Sequence, residues 1–432
     1  MNNLNRLLFA VGAMLLVCQG VPVHAQEPVR LTLAEAEKLA VKNNPQLSAA
    51  VLDAAASFQI PVEYRAAYLP TLQGNATGVV SQQGSRLAAG GLNNPTVYNR
   101  FATGLSLTQM ITDFGRTGNL VDMAKLRADA QNQVAEQVRA DILLVTGQTY
   151  FAVLRAQAVV EVARQTVEAR QLVADQVTAL AQSKLRSGLD VSFANVNLAD
   201  AKLLLVQAEN TLKSAQAQLA AVLAVPGDTT FVLAEEPLPE LVSGRFDNLI
   251  QQALTNRPEL KGIHLEQRAA EKFVSAEHAL NYPNLGILGT AGIVPTGQPQ
   301  IPDRYGAIGF NLNIPIFNGW LFKARESEAE LRAQATHQRA NDLENQIARN
   351  VRVAYLDDET AYERVGLTEQ LLKQSQTAFE LAQSRYNFGL SSIVELSQAQ
   401  LILTSAQIAL VGAKYECQAQ RLNVDFQIGA LK

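Results

Sequence analysis

Histidine, cysteine and paired carboxylates are where chemistry would start, and this chain does not gather them. His264 and His278 lie fourteen residues apart on one predicted helix. They are close to one face but about 21 Å apart along the axis. His337 belongs to a different predicted helix, and no partner stands at triad or ligand spacing from any of the three. Cys417 is the one thiol left once a leader carrying Cys18 is set aside, so no disulfide and no cysteine cluster forms within the chain. No glycine-rich loop sits between a strand and a helix as phosphate binding requires. The Arg/Glu/Gln-rich stretch 323–349 reads as a solvated helical face or a helix-packing surface. Formal net charge is −4, and −5 (35 basic against 40 acidic residues) after loss of Arg6 with the leader. That mild acidity lacks the basic stripe of a nucleic-acid partner. No catalytic residue, metal ligand, cofactor or nucleic acid is expected.

The residues that do stand out occur twice. Asn44-Pro45-Gln46-Leu47 is answered by Arg257-Pro258-Glu259-Leu260, and Tyr68-Leu69-Pro70 by Asn281-Tyr282-Pro283, both 213 residues on. Asp113-Phe114-Gly115 pairs with Phe317-Asn318-Gly319 at 204, and Arg186-Ser187-Gly188-Leu189 with Asn387-Phe388-Gly389-Leu390 at 201. Four ordered landmarks at nearly fixed offset mean a tandem duplication, which sets the architecture. Residues 1–25 read as a signal peptide: Arg6, an apolar run from Leu7 to Val17, then Val23-His24-Ala25 at the cleavage point. A lipoprotein, with Cys18 as N-terminus, is the alternative. The predicted organisation is a first repeat over 26–225, a linker over 226–245 and a second repeat over 246–432.

Each repeat reads as helix, two strands, long helix, short helix. Leu31 to Arg65 is helical, opened by the capping box Thr32-Leu33-Ala34-Glu35 and interrupted at Pro45. Strands follow from Pro70 and over Arg100–Thr108, and in the second repeat over Asn284–Val294 and Tyr305–Ile316. Phe101, Thr103, Leu105 and Leu107 alternate with Ala102, Gly104, Ser106 and Thr108, the period of a half-buried strand. Gly115 to Ser187 and Trp320 to Phe388 are proline-free helices of about 70 residues, near 105 Å at 1.5 Å per residue. Two half-length helices laid end to end match one long one. The inferred shape is a rod of two tracks with strands at one end and a Gly188 or Gly389 turn at the other.

No uninterrupted run reaches the roughly 18 to 20 apolar residues of a membrane helix, but the strands suit a tilted membrane strand. Four strands leave open edges, which lipid does not tolerate. Three chains would supply twelve, enough for a water-filled bore. Tyr64, Tyr68, Phe114, Tyr282, Phe317, Trp320 and Phe322 fall at the helix-side strand ends, and Tyr98, Phe101 and Tyr305 at the loop side. They read as two interfacial aromatic belts touching outer-membrane lipid. A soluble β-sandwich capped by aromatics is the alternative.

Taken in order and in duplicate, these motifs resemble the TolC-like outer-membrane efflux proteins over essentially the whole chain after the leader. Arg385-Tyr386-Asn387-Phe388-Gly389-Leu390 and Pro315-Ile316-Phe317-Asn318-Gly319 carry it best, with Leu31-Thr32-Leu33-Ala34-Glu35-Ala36 at the start. The fold class so implied is mainly α with a small membrane β-part. Antiparallel helical hairpins form an α-barrel in the periplasm, and four strands per chain complete a twelve-stranded trimeric β-barrel in the outer membrane. The function implied is a passive exit duct for efflux or type I secretion. Its implied partners are a periplasmic adaptor (membrane fusion) protein and an inner-membrane pump of RND, ABC or MFS type. A soluble periplasmic coiled-coil adaptor or binding protein is the alternative.

Gly188 and Gly389 are expected as left-handed residues just past the long helices. By resemblance, Ser187, Gly188 and Leu189 with Phe388, Gly389 and Leu390 are adaptor-contacting tips. The resemblance also nominates a periplasmic gate of Asp190, Tyr386, Ser391 and Glu395. Tyr386 matches a gating tyrosine, but Ser391 stands where an arginine is found and Ala194 where an acid often is. Glu395 matches an acid near the constriction, but Ser392-Ile393-Val394-Glu395 reads first as a capping box. Asp190 reads as a helix N-cap or as a lumen-facing charge.

Overall fold

The computed structural model describes residues 29–80, 100–226, 229, 231–241, 246–295 and 302–431. The signal peptide with Cys18, Tyr98, and linker positions 227, 228, 230 and 242–245 lie outside these residues. The chain runs β1 (Val29–Leu31), α1 (Leu33–Asn43), α2 (Pro45–Ser57), α3 (Ile60–Arg65), β2 (Thr71–Val79), β3 (Arg100–Thr112), α4 (Arg116–Gln182) and α5 (Gly188–Val222). A second pass gives β4 (Phe231–Leu233), α6 (Phe246–Asn256), α7 (Pro258–His278), β5 (Asn284–Ile293), β6 (Arg304–Asn313), α8 (Leu321–Asn387) and α9 (Ile393–Gln427).

The first expected helix is three. Asn44 ends α1 and its side chain caps Gln46 and Leu47, with Pro45 in the first turn of α2, so the chain restarts there rather than kinks. Thr32 and Glu35 form the expected capping box. The second repeat breaks in the same place, at Arg257-Pro258. β1 and β4, absent from the sequence reading, pair in parallel, Val29 with Phe231 through Leu31 with Leu233, so the expected linker holds a strand. Tyr150, fully buried on α4, pins this ribbon: its one hydroxyl hydrogen is shared between the Ala234 carbonyl at 2.7 Å and the Leu31 carbonyl at 3.0 Å. Burial pushes its phenol up to about 12.

The two long helices are 67 residues each and the two short ones 35 each. Nearer the tips, α4 packs on α5 and α9, and α9 on α8; nearer the sheet, α4 packs on α2, α3 and α7, and α7 on α8. Small residues make this closeness affordable: Ala128, Ala130, Ala135 and Ala140 are buried on α4, and Leu422 fills the space left at Gly147. α4 and α9 hold eighteen-residue windows of mean hydropathy 1.2; on α4 half of that window is buried against neighbouring segments.

β2, β3, β5 and β6 form one antiparallel sheet in that order, leaving β2 and β6 as open edges. Pairing places Asn75, Gly104, Gly292 and Tyr305 in one row and Leu72, Leu107, Gly289 and Ile308 in another. One face is therefore small and polar, the other apolar with Leu105, Ile287, Phe310 and Leu312. β6 stops at Asn313, short of the expected Ile316.

Candidate functional site

The tips are built by capping chemistry, which corrects the repeat alignment. Gln182 and Asn387 end the long helices; Ser187 and Ser392 cap the short ones. All are separated by 205 (182 to 387, 187 to 392). Both long helices close with the same paired bonds: Lys184 N–H to the Ala181 carbonyl and Leu185 to Leu180, then Gly389 to Tyr386 and Leu390 to Arg385. This is the Schellman closure, which needs a left-handed residue. Gly389 supplies it at φ 71°, but its counterpart is Lys184 at φ 60°, not Gly188. Gly188 instead opens α5 as its first helical residue. Matching Gly-Leu letters shifted the register by four residues.

The tip surface changes accordingly. Leu189, Phe388 and Leu390 are 66, 81 and 70 % exposed, and Leu185 at 70 % is the true counterpart of Leu390. Asp190 is not the N-cap: Ser187 is, and the Asp190 carboxylate accepts from the Ser187 N–H at 3.0 Å and its Oγ at 2.9 Å, a full capping box. Ser392 caps α9, but Glu395 does not return the bond; its carboxylate pairs with Arg385 at 3.0 Å.

Arg186, which sequence reasoning passed over, ties the two hairpins together. Its Nη2 donates to the Tyr386 carbonyl at 3.0 Å, and its guanidinium lies 4.3 Å from the Tyr386 ring centre. Tyr386 is buried among Val177, Ala194, Leu198, Ile393 and Leu396, and among the described residues its hydroxyl and the Ser391 hydroxyl have no hydrogen-bond partner. Burial raises the Tyr386 pKa, with Arg186 working against that. Asn197 donates to Ser397 Oγ at 2.6 Å, a second bridge between the hairpins, here from α5 to α9. Arg186 and Ser391 are themselves counterparts at the 205 offset, so a single alignment by caps would have shown an arginine at the first tip.

At the sheet end, Phe114 of the first repeat stacks on Tyr282 of the second at 6.0 Å, and Phe317 meets Trp320 edge-on at 6.2 Å. Tyr68 and Phe101 are exposed. Tyr305 departs from the belt: it lies on the polar face, across Gly104 and Gly292, where any added side chain would strike it. The glycines leave the groove that an aromatic ring fills. Among the described residues no group of three or more His, Cys, Asp or Glu side chains is placed to hold a metal ion.

The chain is similar to known proteins along most of its length. TolC of Salmonella enteritidis is 23% identical over 93% of this chain and 83% of its own length. The alkaline protease secretion protein AprF of Pseudomonas aeruginosa is 24% identical over 94% and 86%. The solved structure of VceC from Vibrio cholerae has a TM-score of 0.79 at 20% identity, covering 92% of this chain and 96% of that one. The model of the outer membrane efflux protein family matches residues 37–225 and again 249–430. That double match sets aside the soluble adaptor reading: the chain belongs to the outer membrane efflux protein family.

Proposed function

We propose that this outer-membrane efflux channel works as a homotrimeric exit duct. It receives substrates from a periplasmic adaptor and an inner-membrane pump of RND, ABC or MFS type and conducts them passively to the exterior. It is a conduit, not an enzyme. The observation that carries the reading is the four-stranded sheet with two open edges. The strands alternate in direction across β2, β3, β5 and β6, so β6 of one copy would run antiparallel to β2 of the next. Three copies close twelve strands around a bore, with the apolar face toward lipid and the polar face inward. The same two sides stay open along the rod. α8 exposes Val353, Leu356, Leu367 and Leu371, and α5 exposes Val196, Leu203 and Val206, the surfaces copies would cover.

Within the duct, the mature chain is two repeats, 26–225 and 246–432, around a connector. The exposed tip residues Leu185, Leu189, Phe388 and Leu390 are the adaptor contacts, with Ser187, Gly188 and Gly389 shaping the turns. Tyr386, held by Arg186, together with Ser391, Glu395 and Asp190 forms the periplasmic gate. Efflux and protein secretion are both open to it, since AprF bears a secretion name. Native mass spectrometry of the detergent-extracted outer membrane tests the assembly. A species of three chain masses is expected; a detergent-free monomer or dimer overturns the duct.

A further inference from the structure

Tyr305 is the one aromatic side chain on the polar face of the sheet between the Thr77–Ala102 pair and the Asn284–Asn313 pair. The other positions on that face over this span hold small, hydroxyl, amide or apolar side chains, and none is charged. Asn75, Gly104, Gly292 and Tyr305 form one row, and Gln73, Ser106, Thr290 and Ala307 form the next row toward the helices.

A strand side chain ordinarily stands perpendicular to its sheet. Tyr305 does not. It starts on β6, yet a Cβ at Gly292 on β5 would lie 2.6 Å from its Cζ, and one at Gly104 on β3 would strike its hydroxyl. A tip that reaches two strands over requires a ring lying along the wall. One side of the ring is therefore turned to glycine backbone and the other away from the sheet, and Tyr305 keeps 43 % of its surface exposed. The ring also leans into its own sheet, away from the open edge of β6, so that edge can pair with another copy without covering it.

An aromatic face carries a negative quadrupole, which attracts flat apolar rings and, more strongly, cations. No carboxylate or cation on this span of the face competes with it. We propose that the Tyr305 rings of the assembled duct form a stacking site for planar aromatic cations near the outer end of the bore. The inference rests on the duct reading, which turns the polar face inward. One exposed π contact changes affinity about fivefold. That is enough to favour such solutes and too little to hold them, as conduction requires.

The test uses the detergent-extracted native oligomer and two photoreactive probes of equal charge, an acridinium and a tetraalkylammonium, each carrying a diazirine. Labelled peptides are mapped by mass spectrometry. The expected result is acridinium label on the Asn75, Gly104, Gly292 and Tyr305 row, with about fivefold less from the tetraalkylammonium. Tyr305→Phe keeps the π face and should keep the label. Tyr305→Leu keeps an apolar side chain without the π face and should lower the acridinium label to the level of the aliphatic probe. Native mass shows whether each variant assembles, and the comparison of probes decides the matter on the unaltered chain if one does not. Equal labelling by the two probes, or unchanged acridinium label in Tyr305→Leu, overturns the stacking site. If the row takes no label, Gln73→Cys in a Cys417→Ala background separates the causes. Modification of the introduced thiol by a small charged reagent shows an open, wet bore, and the Tyr305 site falls alone. A thiol that stays unmodified means the polar face does not line a bore, and the duct reading falls with the site.

Discussion

Arg186 touches Tyr386 through both its ring and its carbonyl, so one side chain joins the turn of the first hairpin to the last turn of α8. A cation–π contact and a charge-assisted hydrogen bond are together about 2 kcal/mol. Their loss would shift a closed–open balance about thirtyfold. Arg186→Ala is therefore expected to raise single-channel conductance in planar bilayers, whereas Tyr386→Phe, which removes only a hydroxyl with no hydrogen-bond partner among the described residues, should leave it unchanged. Equal conductance for the two variants would remove Arg186 from the proposed gate. Glu37 offers a separate handle on stability. Burial, then the charge of Glu236, raises its pKa above the ordinary carboxylate value. The folded state thus binds this proton more tightly than the unfolded one, and the ionised form is a cost. That cost is absent below the unfolded pKa, grows as pH climbs toward the raised value and is complete above it. Glu37→Gln should raise the melting temperature at pH 7, and the gain should fade as pH is lowered to about 4.

At the scale of elements, the two tips are one turn written in different residues. Gly389 takes the left-handed position at φ 71° with nothing near its missing side chain, while Lys184 takes it at φ 60°. Backbone strain alone separates them, about 1 kcal/mol. Gly389→Ala should speed hydrogen exchange at the Leu390 amide about fivefold, and Lys184→Gly should slow it at Leu185 by a smaller factor. No change in either would mean the turns are held from outside. The long helices were legible because proline-free runs are bounded by turn and cap residues, although Gly188, expected to close the first, opens α5 instead. So were the strand faces, since period-two alternation survives without knowing the partner strand. The β1–β4 ribbon was not legible: three-residue parallel strands have no alternation to read, and the Tyr150 hydroxyl that bonds to the Leu31 and Ala234 carbonyls lies 119 and 84 residues away in sequence. The Arg186–Tyr386 clamp joins residues 200 apart in sequence, and neither side chain is unusual in its local context. Tyr305 was read by its position at a strand end, when the face it occupies is decided by pairing with Gly292.

For the whole molecule, duplication gives two hairpins of matched length, and a single copy still finishes nothing. Both edges of its sheet are unpaired, and side chains such as Ile308 and Phe310 stand exposed. In the proposed trimer, a pair of copies has the same two open edges as one copy, so only the third encounter brings relief. Formation of the duct then depends on supply to a high power. If unassembled chains are cleared at a fixed rate, halving their export would lower ring completion toward about one-eighth. The open edge thus makes the number of working ducts a threshold function of synthesis, set by mass action before any pump is engaged.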